Sequence, residues 1–290
     1  MEDVCIVTAF FDIGRGFWNS QYKRTTKFYL QSFLNYLEYP YKMVCFIDDR
    51  CIDYVLEHYT RSHHSNKLFI PINKEWMENN IRAWQQVGKD EEIMKSAQYR
   101  DWIDHRKKLA FPDGNAPADY DKHIFPENRD PRYNAINHAK VDFIAHAIKN
   151  GYVKESVTCW CDFGYFGTQH DNDKTTFPTA TIDKAYFKPD RITFFLRKDV
   201  DEKDADPLYT LVYAPEVFTG TFWGGPTPLM LKFQSMYHEA VDELYAVNIS
   251  DDDQHVYLRT YLKNLELFDL KLVTLPEWPK GLLYLQKMDG

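Results

Sequence analysis

The stretch Thr158-Cys159-Trp160-Cys161-Asp162-Phe163-Gly164-Tyr165 is an apolar run that ends in one carboxylate and a glycine. A continuous apolar run is what a strand buried on both faces of a parallel sheet requires. Ligands of an open α/β sheet bind beyond the carboxyl ends of its strands, where a single carboxylate can hold a divalent cation against a diphosphate. The same aspartate can also do no more than open the following turn.

Toward the amino terminus the same kind of run recurs. Residues 4–11 are apolar and rich in β-branched and aromatic side chains, which predicts a first buried strand. Residues 23–39 carry Phe28, Leu30, Phe33, Leu34 and Leu37 at helical spacing, closed by Pro40. Residues 41–47 predict a second strand ending at Asp48-Asp49, and residues 67–72 a third. Alternating strand and helix implies right-handed crossovers and a mainly parallel sheet. Residues 76–108 read as helical, and residues 111–132 as a loop long enough to be either a functional flap or a mobile segment. Residues 133–149 return to a helix with Ile136, Ala139, Phe143 and Ala147 as its buried stripe.

Beyond the quoted stretch, residues 167–206 are polar around one strand at 191–196. The pattern then predicts a strand at 209–214, a glycine-punctuated turn, helices at 229–247 and 252–262, and a strand at 268–275. The fold expected is α/β: a central, mainly parallel sheet flanked by helices.

With 290 residues the chain is long enough to bury a core without staples. A net charge of -8, from 35 basic and 43 acidic residues, argues against a general nucleic-acid binder, which needs phosphate-neutralising cations on one face. Four of the five cysteines, Cys5, Cys45, Cys159 and Cys161, fall inside strand-like runs, the fifth being Cys51, and no zinc-type pair is present. That usage predicts a reducing compartment. Met1-Glu2-Asp3-Val4 has no cationic region leading into an apolar core, and no apolar run approaches the ~20 residues that span a bilayer. The expectation is a cytoplasmic protein, or one peripheral to a membrane, with no transmembrane segment.

Four constellations can carry chemistry. Thr8, Ala9, Phe10 and Phe11 end the first strand and can hold a nucleobase, while Arg15 can fork onto phosphate oxygens; an ordinary strand-to-loop transition is the competing account. Asp48 and Asp49 end the second strand, where a carboxylate can bind a ribose hydroxyl or cap a helix. Asn134, Asn137 and Lys140 share one helical face, and the Lys140 charge suits a phosphate, although a solvated polar face has the same pattern. Trp223, Gly224 and Gly225 can shape a sugar pocket, the indole by stacking and the glycines by close backbone approach. After them, Asp251 can cap a helix, Asp252 or Asp253 can deprotonate a hydroxyl, and His255 can act as base or metal ligand.

Taken in order, the chain resembles the HtrL/YibB group of bacterial proteins and, more broadly, nucleotide-sugar glycosyltransferases of the GT-A fold. The residues that carry the resemblance run from Val7 to Arg15, from Tyr133 to Lys140, from Trp160 to Tyr165, from Phe222 to Gly225 and from Asp252 to Gln254. It implies one GT-A-like (Rossmann-like) domain over residues 1–290, with a nucleotide-binding half at 1–165 and an acceptor-binding half at 166–290. It further implies sugar transfer from a UDP- or GDP-sugar donor to a hydroxyl of a glycan acceptor, with Mn²⁺ or Mg²⁺ bridging the diphosphate. Such enzymes carry Asp-x-Asp, whereas here Gly164 stands two residues after Asp162. The metal expectation therefore rests on Asp162 with His255, or else Lys140 and Arg15 neutralise the diphosphate alone. Asp252 and Asp253 are the expected catalytic bases. Two rivals stand beside this reading: a sugar- or nucleotide-binding relative without catalysis, and a metal-dependent phosphohydrolase built on the Asp252 cluster.

Overall fold

A computed structural model describes residues 3–37, 41–59, 66–117, 120, 124–165 and 182–273. Residues 167–181, the first part of the expected polar segment at 167–206, lie outside these residues.

The first half alternates as the apolar runs require. Strand β1 (Val4–Phe10) is followed by α1 (Thr26–Leu37), β2 (Lys42–Asp48), α2 (Ile52–Tyr59) and β3 (Lys67–Ile72). Four helices then replace a crossover strand: α3 (Lys74–Asn80), α4 (Arg82–Gln85), α5 (Val87–Lys95) and α6 (Ala97–Ala110). The long helix α7 (Pro131–Lys149) starts at Asp130, whose side chain accepts from the Arg132 amide, with Pro131 at the first helical position. It leads into β4 (Val157–Cys161). The second half holds β5 (Ile192–Leu196), α8 (Pro207–Tyr213), β6 (Phe222–Pro226), α9 (Thr227–Ala246), α10 (Asp253–Lys263) and β7 (Phe268–Leu272).

The seven strands form one sheet in the order β3-β2-β1-β4-β6-β5-β7. Strand β6 runs antiparallel to β4 and β5, and the other pairs are parallel. Helices cover both faces. One core contains Val7, Phe46, Phe143, Trp160, Phe194 and Trp223, and the other contains Ile6, Cys45, Phe33, Phe163 and Phe195. Alternate residues of β1 and β4 thus feed opposite cores, which is why their sequences have no polar face. All five cysteines are buried within this packing. No helix among the described residues is long and apolar enough to cross a membrane.

Two expectations are corrected. Residues 209–214 are helical rather than extended, because Asp206 caps the Leu208 amide and Pro207 fixes the first helical φ. The glycine-rich segment is a central strand instead of a turn. Gly224 pairs with Cys159, and a Cβ on it would lie 2.5 Å from Cys159 Sγ and 2.8 Å from the Thr158 carbonyl oxygen. A Cβ on Gly225 would lie 2.9 Å from the Arg191 carbonyl oxygen. These glycines admit neighbouring backbone, not a ligand.

Candidate functional site

Strand order determines where a ligand can sit. The chain winds from β1 outward through β2 and β3, then returns to place β4 on the other side of β1, so the order reverses between β1 and β4. The crevice at the carboxyl ends of two such strands is the expected binding place in an open α/β sheet. A cleft of about 410 Å³ lies there, walled by Ala9, Phe10 and Phe11 from β1 and its exit, and by Trp160, Asp162 and Phe163 from β4 and its exit.

The loop after β1 is tied down by Asp12, which accepts from the Gly14 amide at 2.8 Å and the Thr26 hydroxyl at 2.7 Å. Gly14 takes φ 84°, a left-handed conformation open to glycine, and turns the chain so that Arg15 enters the cleft. The Arg15 guanidinium donates to the Tyr29 hydroxyl at 2.5 Å and to the Tyr22 carbonyl oxygen at 2.9 Å. It lies 5.2 Å from the Trp18 ring centre and 5.3 Å from that of Tyr133. Arg24 also lines the cleft and donates only to the carbonyl oxygens of Gln21 and Lys23. Among the described residues neither arginine has a carboxylate within ion-pair distance.

From the opposite wall, α7 contributes Asn137 and Lys140. The Lys140 ammonium is buried between two carboxylates, 3.0 Å from Asp162 Oδ1 and 2.8 Å from Asp253 Oδ2, and it donates to the Gly220 carbonyl oxygen at 3.0 Å. Burial opposes its charge, but Asp162 and Asp253 outweigh that cost and hold its pKa above the usual lysine value. Asp162 Oδ1 also accepts from the Trp160 indole at 2.7 Å, and the carboxylate remains one-third exposed toward the cleft (32 %). Burial raises the Asp162 pKa, and Lys140 restrains the rise. Asp253 sits deeper, at 2 % exposure, against Gly220, where a Cβ would come 2.6 Å from Asp253 Oδ2.

The geometry brings together Ala9, Phe10, Phe11, Arg15, Asn137, Lys140 and Asp162 of the expected residues. Others lie elsewhere. Thr8 is fully buried inside β1 and Asn134 is buried in the first turns of α7, where its amide donates to the Glu127 carbonyl oxygen and Ser250 Oγ. Asp48 does the capping job: it accepts from the amides of Arg50 and Asp12 and pairs with the Arg50 guanidinium at 2.5 Å. Burial pushes its pKa up, yet these donors together hold it below the usual carboxylate range. Asp49 is exposed on the turn that follows. Trp223 cannot stack on a sugar, since its ring is fully buried 5.2 Å from Phe194 and nearly parallel to it (12°). Gly224 and Gly225 stay with it in the core of the sheet.

The expected metal ligands are split between two clusters. Asp162 keeps company with Lys140 and Asp253, while His255 Nδ1 lies 2.6 Å from Asp251 Oδ2. A dication at Asp162 would share its Oδ1 side with an ammonium and would have no imidazole beside it. These residues do not fit the Mn²⁺ or Mg²⁺ site that the resemblance implied. Asp252, expected as a base, caps α10 by accepting from the Gln254 amide at 3.0 Å. Arg24 and Tyr29 were not singled out from sequence, because only the folding back of the loop after β1 brings them to the cleft. A lone basic residue in a polar run, such as Tyr22-Lys23-Arg24, carries no signal of its own.

The fold and this site define an α/β protein with a cleft at the reversal point of its sheet, lined by Arg15, Arg24 and Lys140 and by aromatic walls. The chain belongs to a family described as bacterial protein of unknown function (HtrL_YibB), whose model matches residues 2–279. It is similar to Protein HtrL of Escherichia coli (strain K12), with 22 % identity over 280 residues that cover 94 % of this chain and 89 % of that one.

Proposed function

We propose that the chain binds a nucleoside diphosphate sugar in the cleft between β1 and β4 and transfers the sugar to a hydroxyl of a glycan or other acceptor. One observation carries this reading. Arg15 and Arg24 face the cleft with no carboxylate partner among the described residues, in a chain whose net charge is -8. Unneutralised guanidinium groups beside aromatic walls suit a ligand with a planar base and several phosphate oxygens.

Each residue has a role in this mechanism. Phe10 and Phe11 offer apolar surface to the base, and Arg15, oriented by Tyr29 and the Tyr22 carbonyl, pairs with the diphosphate. Lys140 provides fixed positive charge deeper in the cleft, where negative charge grows on the leaving group. Asp162 is the carboxylate that opens on the cleft beside it, placed to accept a proton or a hydrogen bond from a hydroxyl.

A panel of nucleotide sugars, scored by diphosphate release and by thermal shift, tests the proposal. At least one donor raises the melting temperature and releases its nucleotide in the presence of acceptor, and Asp162→Asn abolishes release while the fold persists. If no nucleotide stabilises the protein at millimolar concentration, the reading fails.

One observation favours binding without turnover. Asp253, expected as a base, is nearly fully buried and held by Lys140, so it cannot reach an acceptor. On that reading a nucleotide stabilises the protein and no diphosphate is ever released.

A further inference from the structure

The loop that brings Arg15 into the cleft carries a second feature on its outer side. Between Asp12 and Glu38 the sequence holds four cations, Arg15, Lys23, Arg24 and Lys27, and no acidic residue, in a chain of net charge -8. Lys23 and Lys27 are exposed, and among the described residues neither has a carboxylate within ion-pair distance. The loop folds back on itself. The Arg24 amide donates to the Arg15 carbonyl oxygen at 3.4 Å, and a Cβ on Gly16 would lie 3.5 Å from the Thr25 Cα. Phe17, in the short turn Arg15–Phe17, therefore stands next to this basic strip, and it is 92 % exposed, more than any other large apolar side chain described.

A second aromatic residue extends the surface. Phe125 is exposed, its ring centre 5.8 Å from that of Tyr22 in the loop and 4.3 Å from the Arg106 guanidinium. Arg106 donates to Asn128 Oδ1 and the Leu211 carbonyl oxygen and has no carboxylate within ion-pair distance among the described residues. Exposed apolar residues scattered singly are ordinary. Here Phe17 and Phe125 flank one loop together with Lys23, Arg24, Lys27 and Arg106. A folded partner would need a pocket shaped for Phe17, and a single-stranded nucleic acid a groove that tracks its backbone. A bilayer needs neither: its interface takes up aromatic rings of any shape, and anionic headgroups attract cations whose stems lie along it.

We infer that the face formed by residues 15–27 and Phe125 docks on anionic lipid headgroups, Phe17 entering the interface and Lys23 and Lys27 meeting lipid phosphates. Arg15, Arg24 and Phe28 also line the cleft, so docking turns the cleft mouth toward the bilayer. This inference does not rest on the transfer reaction, because its test needs no sugar donor.

Full-length protein is sedimented with vesicles of phosphatidylcholine alone and of phosphatidylcholine mixed with phosphatidylglycerol, at low and at high salt. The mixed vesicles carry the protein down at low salt and release it at high salt, and the neutral vesicles leave it in solution. Phe17→Ser, and Lys23→Gln combined with Lys27→Gln, each weaken binding about tenfold or more; these side chains are exposed, and circular dichroism checks that the fold persists. The inference is overturned if the mixed vesicles do not retain wild-type protein at low salt, or if either variant binds them as tightly as wild type. Binding of single-stranded DNA in place of the vesicles would assign the face to nucleic acid and overturns it equally.

Discussion

The cleft between β1 and β4 and the pocket at the start of α10 are both built from charge, yet they carry opposite excesses. In the cleft, Arg15 and Arg24 donate to carbonyl and hydroxyl oxygens and have no carboxylate within ion-pair distance among the described residues. In the pocket, Asp251 and Asp252 lie beside one buried histidine, His255. The first excess is partly exposed and the second is buried. Between them stands the ion pair of Lys140 with Asp253, one end facing each region.

Breaking the junction should have the largest effect. Lys140→Met leaves Asp253 buried without a partner and is expected to cost about 3–5 kcal/mol in urea unfolding. If the variant is as stable as wild type, the ion pair does not hold the two regions together.

A pH effect comes next. Burial pulls His138 down to about 4, against the pull of Asp253 and other acids, while its Nδ1 meets the Tyr237 hydroxyl at 2.7 Å. Its folded pKa is depressed, so its contribution is present above the unfolded value near 6.5 and is lost as pH falls toward 4. The loss is roughly 1.4 kcal/mol per pH unit, or about 3 kcal/mol by pH 4. Denaturant midpoints between pH 7 and pH 4.5 should fall more steeply in wild type than in His138→Gln; parallel slopes would refute this.

Gly220→Ala sharpens the comparison from the other side. Its new methyl group would lie 2.6 Å from Asp253 Oδ2 and push the carboxylate off Lys140. A loss of about 1–3 kcal/mol is expected, read from the thermal midpoint. The smallest effect concerns the cleft alone: Arg15→Lys should weaken UDP or GDP binding by roughly tenfold, about 1.4 kcal/mol. Calorimetry that finds equal affinity would detach Arg15 from the diphosphate.

How much of this was legible depended on what each residue's signal can mean. Val4–Phe10 and Val157–Cys161 announced themselves, because burial on both faces leaves no polar position in a strand. Phe222–Pro226 was read as a turn since a glycine pair serves a tight turn and a close strand approach equally well. In residues 209–214, aromatic and β-branched side chains suggested extension, and the Asp206 cap with Pro207 decided for helix. Arg15, Lys140 and Asp162 were found because strand ends and helix faces are periodic. Trp223 was misplaced because an aromatic residue next to glycines looks the same in a pocket and in a core.

The account stands or falls on where a nucleoside diphosphate lodges. A crystal structure of the protein with UDP or GDP should show the diphosphate within hydrogen-bonding reach of Arg15 and beside Lys140, at the carboxyl ends of β1 and β4. A fully occupied diphosphate anywhere else on the chain would contradict it.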